Sequence, residues 1–307
     1  MGSYLDSKVE FDDSSIKYIF TNPDEVLKDI QGFWEKEIPY KTTLDWSDAT
    51  KVPIDFEDFK KNLEELEKQS LEGRRKHEAY MLSEEIMENV PVFKSRALPH
   101  VCSYLPANTK IDAVVRIACF MPPWAYCAMG NVIINTSHKH WNSDVGMVLN
   151  IVIHELFHMG FGQYIEPVDF RQIKTSEQTD ELIMTGLQNE GMATYVAYKA
   201  RHIFPSSTVD PDYRMLENRE DVLRLSQKIN YLFKLSKSEP FEKIRDVIWK
   251  EGVMTRAYYV VGAYMASKIE EAYERGTLVD TIIKGSKYFI KTYNELPSDD
   301  FKIAFDT

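Results

Sequence analysis

The ten residues IVIHELFHMG, Ile151 to Gly160, set two histidines and a glutamate in a run that is otherwise apolar. Titratable groups are costly in such surroundings unless a partner satisfies them. On a helix, His154 and His158 project from one face, one turn apart, so their imidazoles can converge on a single cation. Glu155 lies about 100° around the same helix. It is badly placed as a third ligand but well placed to reach a water beside the metal. This is the HExxH pattern, in which the glutamate serves as general base. Because Ile151, Val152, Ile153, Leu156, Phe157 and Met159 make the helix apolar nearly all round, it is expected to be buried. A buried His–Glu–His cluster then calls for a metal, and nitrogen ligands on this spacing suit Zn²⁺, one ion per chain.

Two histidines leave a tetrahedral site incomplete. The extended pattern HExxHxxGxxH fails, since Phe161 and Tyr164 stand where its glycine and third histidine belong. The better candidate is Glu190, in GLQNEGMATYVA on the next long helix. Gly186, Ala193, Thr194 and Ala197 share its face, a strip of small side chains that would let a neighbouring helix come close. Glu177, Asp180 and Glu181 compete for the role, although acids at a helix start are already favoured by the dipole.

Outward from this core, the chain reads as α+β and predominantly helical. The first hundred residues are mainly helix. NPDEVLKDIQGFWEKEI has Asn22 as cap and Pro23 at its first turn, DFEDFKKNLEELEKQS carries a stripe of Phe56, Phe59, Leu63 and Leu66, and the stretch from Ser83 ends near Pro91. KIDAVVRIACFM and NVIINTS read as strands of a small sheet, with a turn forced at Pro122 and Pro123. Asn142 or Ser143 would cap the HExxH helix and Gly160 with Gly162 would stop it. Further helices are expected near 177–202, 218–237, 256–274 and 278–294. Residues 1–162, with the sheet and the HExxH helix, would form one lobe and 163–307 a helical second lobe.

With 307 residues, 44% of them hydrophobic, the chain can bury a full core. Its formal charge of −11 argues against a nucleic-acid surface, which needs clustered Lys and Arg. No stretch is long and apolar enough to span a membrane. The N-terminus lacks the pattern of a leader peptide, so the cytoplasm is the expected compartment, or export if a leader has been removed. Cys102, Cys119 and Cys127 form no CxxC pattern and are expected to be reduced and buried.

HExxH followed on a later helix by NEGMA resembles the gluzincins, zinc peptidases whose third ligand is a glutamate. RAYYVVGAYMASKIEEAYERGTLVDTII also looks like a helix of that clan carrying Y-x-x-G, and a little-described bacterial group of zinc-dependent peptidases is the nearest likeness. The resemblance implies a two-lobed zincin fold with zinc in the cleft, bound by His154, His158 and Glu190. It implies a peptide or protein substrate, Glu155 as general base, and Tyr259, or else Tyr258, as donor to the oxyanion. It also implies that Asn131 to Asn135 could pair with an extended peptide. Two departures stand out: the gap from His158 to Glu190 is long, and Thr194 stands where some members carry an aspartate that orients a ligand histidine. A different zinc amide hydrolase, or a zincin-fold binding protein without turnover, remains compatible with the same residues.

Overall fold

The structure, a computed structural model, describes residues 6–30, 32–33, 57, 60–61, 64, 74–119, 125–128, 130–138, 141, 144–165, 172–297 and 301–305. The stripe expected over Phe56, Phe59, Leu63 and Leu66 lies outside them, as do Pro122, Pro123, Asn142 and Ser143.

The fold is predominantly helical with a small mixed sheet. Strands β1 (Lys8–Asp12), β2 (Asp112–Ala118), β3 (Ala125–Ala128) and β4 (Asn131–Asn135) stand in the order β1-β2-β4-β3. β1, β2 and β4 run parallel, and β3 returns antiparallel beside β4. β1 and β3 had no signal in the sequence reading. Both are short, and β3 follows the two prolines that read as a plain turn. Gly130, at φ +79°, sits in the short connection between β3 and β4, a conformation that favours glycine.

Between β1 and β2 come α1 (Ser14–Thr21), α2 (Pro23–Lys28), α3 (Arg74–Val92) and α4 (Leu98–Cys102). Pro23 does begin α2, but the Asn22 side chain makes no cap bond. Pro91 does not end α3. The chain stays helical past it, through a π-helical turn at Phe93–Ala97, and continues into α4. π-Helical turns occur where an α-helix must absorb a local irregularity, and a proline removes one donor from the ladder.

The second half holds α5 (Val145–Phe161), α6 (Ser176–Ala200), α7 (Pro211–Glu217), α8 (Arg219–Ser238), α9 (Phe241–Ile248), α10 (Ala257–Lys284) and α11 (Ser286–Asn294). α10 contains a break at Glu274, φ +68°, which separates the stretches expected as two helices. α5 packs on β2, β3 and β4 with one side and on α6 with another, and α6 in turn packs along α10. The layers therefore run sheet, α5, α6, α10. Val148, Leu149, Val152, Ile153, Leu156 and Phe157 of α5 are fully buried, as a helix between a sheet and a second helix must be.

Asp144, not Asn142 or Ser143, caps α5. Its carboxylate accepts the Met147 N–H at 3.0 Å. Its other oxygen accepts from Ser206 Oγ, Ser207 N, Ser207 Oγ and Thr208 N, at 2.7–3.1 Å. One carboxylate so fixes the start of the HExxH helix to the loop after α6. α6 begins with a capping box, Thr175 accepting from Gln178 N and Gln178 Oε1 accepting from Thr175 N.

No helix among the described residues is long and apolar enough to cross a membrane.

Candidate metal centre

α5 and α6 bring His154, His158 and Glu190 together. His154 Nε2 and His158 Nε2 lie 2.9 Å apart, and Glu190 Oε2 lies 3.4 and 3.2 Å from them. Four ligands held tetrahedrally at 2.0–2.1 Å from zinc stand about 3.3–3.4 Å from one another. The triangle of 2.9, 3.2 and 3.4 Å is therefore close to one face of a zinc tetrahedron. Glu190 Oε2 is shut off from solvent and has no hydrogen bond of sound geometry among the described residues. Three ligand atoms converging in this way could hold a metal ion between them.

Electrostatics say the same. Burial works against a charged His158, but the Glu190 carboxylate, with help from Glu155 and Asn189, outweighs it and pushes the imidazole up to about 9. Burial would likewise raise Glu190, yet His158 and His154 hold it well below the ordinary carboxylate range. Protein without metal thus binds a proton where a metal would sit, and loading must release it.

His158 is oriented from behind. Its Nδ1 lies 2.9 Å from Asn189 Oδ1, an atom that can only accept. Nδ1 therefore carries the proton and Nε2 presents its lone pair to the site, the usual arrangement behind a ligating histidine. The sequence reading gave Asn189 no role, although it directly precedes Glu190. Thr194 does not do this work, since its hydroxyl is buried without a partner among the described residues. Asn150, one turn before His154, bonds the Phe204 carbonyl at 3.2 Å through Nδ2.

The three residues line a cavity of about 430 Å³, with Glu155 and Tyr259 also in its wall. Tyr259 stacks on His154, ring centres 6.0 Å apart and planes 10° from parallel. Burial, with Glu190 close by, pushes its phenol well up, so it remains an O–H donor. Tyr258 points elsewhere: its ring packs over Gly186 and Gly252, its hydroxyl is buried without a partner among the described residues, and it does not line the cavity. Gly186 thus accommodates Tyr258 of α10, not the HExxH helix as its place on the Glu190 face suggested.

Tyr259 is held by Arg256, whose guanidinium carbon lies 3.2 Å from the ring centre. Arg256 has a left-handed backbone, φ +66°, and grips Asp212 through Nε at 3.0 Å and Nη2 at 2.6 Å. A non-glycine residue in that conformation costs on the order of 1 kcal/mol or more and persists only when its surroundings fix it. Neither Arg256 nor Asp212 carries a motif that sequence could reveal.

Among the competitors, Asp180 is committed to α8, accepting from Ser236 Oγ at 2.5 Å and Lys237 Nζ at 2.6 Å. Glu177 and Glu181 are exposed and absent from the cavity wall. His202 lies just past the end of α6, its Nδ1 2.9 Å from the Lys199 carbonyl. His138 is not in the cavity wall, and His140 lies outside the described residues. Cys102 and Cys119 are buried and unpaired with one another. Cys127 departs from that expectation, since it is only half-buried and lines the metal cavity. Burial, then the Glu155 and Glu190 carboxylates, push its thiol well up.

The reading of Asn131 to Asn135 as a peptide-pairing strand is overturned by topology. β4 already has β2 on one side and β3 on the other, so its backbone bonds are satisfied. Among the described residues the sheet edge beside this cavity is β3, whose Ala125, Tyr126 and Cys127 line it.

No curated protein and no solved structure matches the chain. A family model described as "Putative zinc dependent peptidase (DUF5700)" matches residues 55–300, a span that holds His154, Glu155, His158, Glu190 and Tyr259. With well over half of its length so matched, the chain belongs to the family of that description.

Proposed function

We propose that this protein is a zincin-fold peptidase of gluzincin type, binding one zinc per chain through His154, His158 and Glu190. The triangle of 2.9, 3.2 and 3.4 Å among their ligand atoms carries the reading. The lobes divide near residue 162, so that α5 floors the cleft and α6 supplies the third ligand. Zinc, when bound, supplies Lewis acidity that polarises a carbonyl and makes a water acidic near neutral pH. Glu155 takes the proton of the attacking water and delivers it to the leaving amine. Tyr259 donates its O–H to the oxyanion of the tetrahedral intermediate, held in place by Arg256 and by its stack on His154. An extended peptide lies along β3, the edge strand of the sheet among the described residues, adding a strand.

The decisive experiment measures metal by plasma mass spectrometry and peptide cleavage on wild type, Glu190→Ala and Glu155→Gln. About one zinc in wild type, clear loss in Glu190→Ala, and retained zinc without cleavage in Glu155→Gln are expected. Equal zinc in wild type and Glu190→Ala would remove Glu190 from the ligand set. Cleavage undiminished in Glu155→Gln would remove the general base.

A further inference from the structure

One wall of the metal cavity comes from a single stretch of chain. Trp249, Val253, Arg256 and Tyr259 all line it. The stretch opens as a π-helical turn, Trp249–Met254, passes through the left-handed Arg256 and enters α10 at Ala257. Its inner end is fixed beside the ligand triangle: Tyr259 stacks on His154, and the Arg256 guanidinium lies over the Tyr259 ring. Val253 and Trp249 carry the wall onward past Arg256. π-Helical turns are rare and recur at functional sites.

The turn is held from behind. Gly252 is buried against Tyr258, so close that an added Cβ would lie 2.3 Å from Tyr258 Cε2. Glu251 pairs with Lys228 of α8, and its carbonyl accepts the Thr255 hydroxyl at 2.7 Å. With these two residues tied down, Trp249 and Val253 are left facing the cavity. Trp249 is 37% exposed and Val253 only partly buried, so both can be touched from it. A tryptophan this open in the wall of a cleft is apolar area that a ligand can cover.

We propose that Trp249 and Val253 form a specificity subsite that takes a large apolar side chain, aromatic or leucine-like, of the bound peptide. The inference rests on the peptidase reading for what carries the side chain, but not for the apolar wall itself. An indole offers a wide, rigid face at little ordering cost, and it favours an aromatic partner beyond the area covered. An indole face also attracts cations, so the charges beside it matter. The adjacent Arg256 grips Asp212 through Nε and Nη2. These two charges are matched, so the pair next to the turn selects neither a lysine nor an acid. What the turn adds to the cavity is apolar area on a backbone that is already fixed.

Titration calorimetry on the full chain with zinc supplied, carrying Glu155→Gln so that no peptide is consumed, tests this. The ligands are blocked pentapeptides, acetyl-Gly-Gly-Xaa-Gly-Gly-amide, with Xaa alanine, leucine, phenylalanine or lysine. The phenylalanine and leucine peptides should bind roughly ten- to a hundred-fold more tightly than the alanine peptide, the size of burying one large side chain. Adding Trp249→Ala should bring both down to the alanine level, whereas Trp249→Phe should keep most of the advantage. Val253→Asp, a change at a partly exposed position, should lower it by a separate route. Equal binding of all peptides, an apolar advantage that survives Trp249→Ala, tightest binding of the lysine peptide, or no heat from any peptide would overturn the proposal. Cleavage assays on the chain with Glu155 intact separate the two readings. A Trp249-dependent apolar advantage without cleavage of any peptide would count against the peptidase alone, and cleavage of all four at equal efficiency would count against the subsite alone.

Discussion

Gly262→Ala is the substitution most informative about how the fold builds the site. Gly262 of α10 faces α6, and a Cβ added there would lie 2.0 Å from the Leu187 carbonyl oxygen and 2.7 Å from Gly191 Cα. Real Cβ atoms keep at least 3.0 Å from such neighbours, so the helices must part by about 1 Å. The opposing atoms are backbone, so no rotamer change relieves the clash. Overpacking of this kind costs about 1–3 kcal/mol, against a helix-propensity gain of up to about 1 kcal/mol for losing a glycine. The net destabilisation is about 1–2 kcal/mol, or a melting point lower by roughly 1.5–3 °C for a chain of this size. The displacement falls on α6, which carries Glu190 next to Gly191, or on α10, which carries Tyr259. A metal site tolerates only about 0.5 Å of error, so zinc affinity should fall along with stability. Thermal melts, with chelator competition for zinc, read both. Gly276→Ala, two residues past the break at Glu274, is the control, since nothing lies within 4 Å of its added Cβ. It should leave stability unchanged or raise it by up to about 0.5 kcal/mol. A Gly262→Ala protein as stable as wild type and equally tight for zinc would refute the reasoning.

Asn189→Ala should lower zinc affinity roughly 10- to 100-fold by freeing the His158 ring, with the fold intact; chelator competition measures it, and unchanged affinity would deny Asn189 its orienting role. Asp144→Ala should cost about 2–4 kcal/mol at neutral pH, the sum of a lost cap and donors left without their acceptor. Burial tends to raise the Asp144 carboxyl, but bonds from Ser207, Met147, Ser206 and Thr208 outweigh it and hold it below its ordinary 3.8. A folded-state value below the unfolded one gives stability that is present above pH 3.8 and lost as pH falls through the folded value. The gap between wild type and Asp144→Ala in denaturant melts should therefore shrink in acid. A gap constant from pH 7 to pH 3 would argue that the carboxylate's charge contributes nothing.

Much of the centre was legible because its spacing is local. His154 and His158 share a helix face by geometry alone, and the apolar run around them announced burial, which His154 meets at 7% exposed. Glu190 could be nominated because its neighbours on the helix are small, but the reason given was only partly right. Gly186 serves Tyr258, and Gly191 with Gly262 allows a close approach of α6 to α10. Pro91 misled for a related reason. Proline forbids one backbone bond, and only packing decides whether the helix stops or, as here, continues through a π-turn.

The sequence by itself determined the helical character, the HExxH helix, and a histidine pair able to share one ion, because each follows from periodicities of a few residues. Tertiary structure alone decided which acid meets that pair, how the ring of Tyr259 is held by Arg256, and that β3 rather than β4 is the edge beside the candidate metal site. It alone put Trp249 and Val253 in the wall of a cavity that His154 and His158 also line. Contacts of that range depend on how elements stack and which strand edges remain unpaired, and no local rule of spacing encodes them.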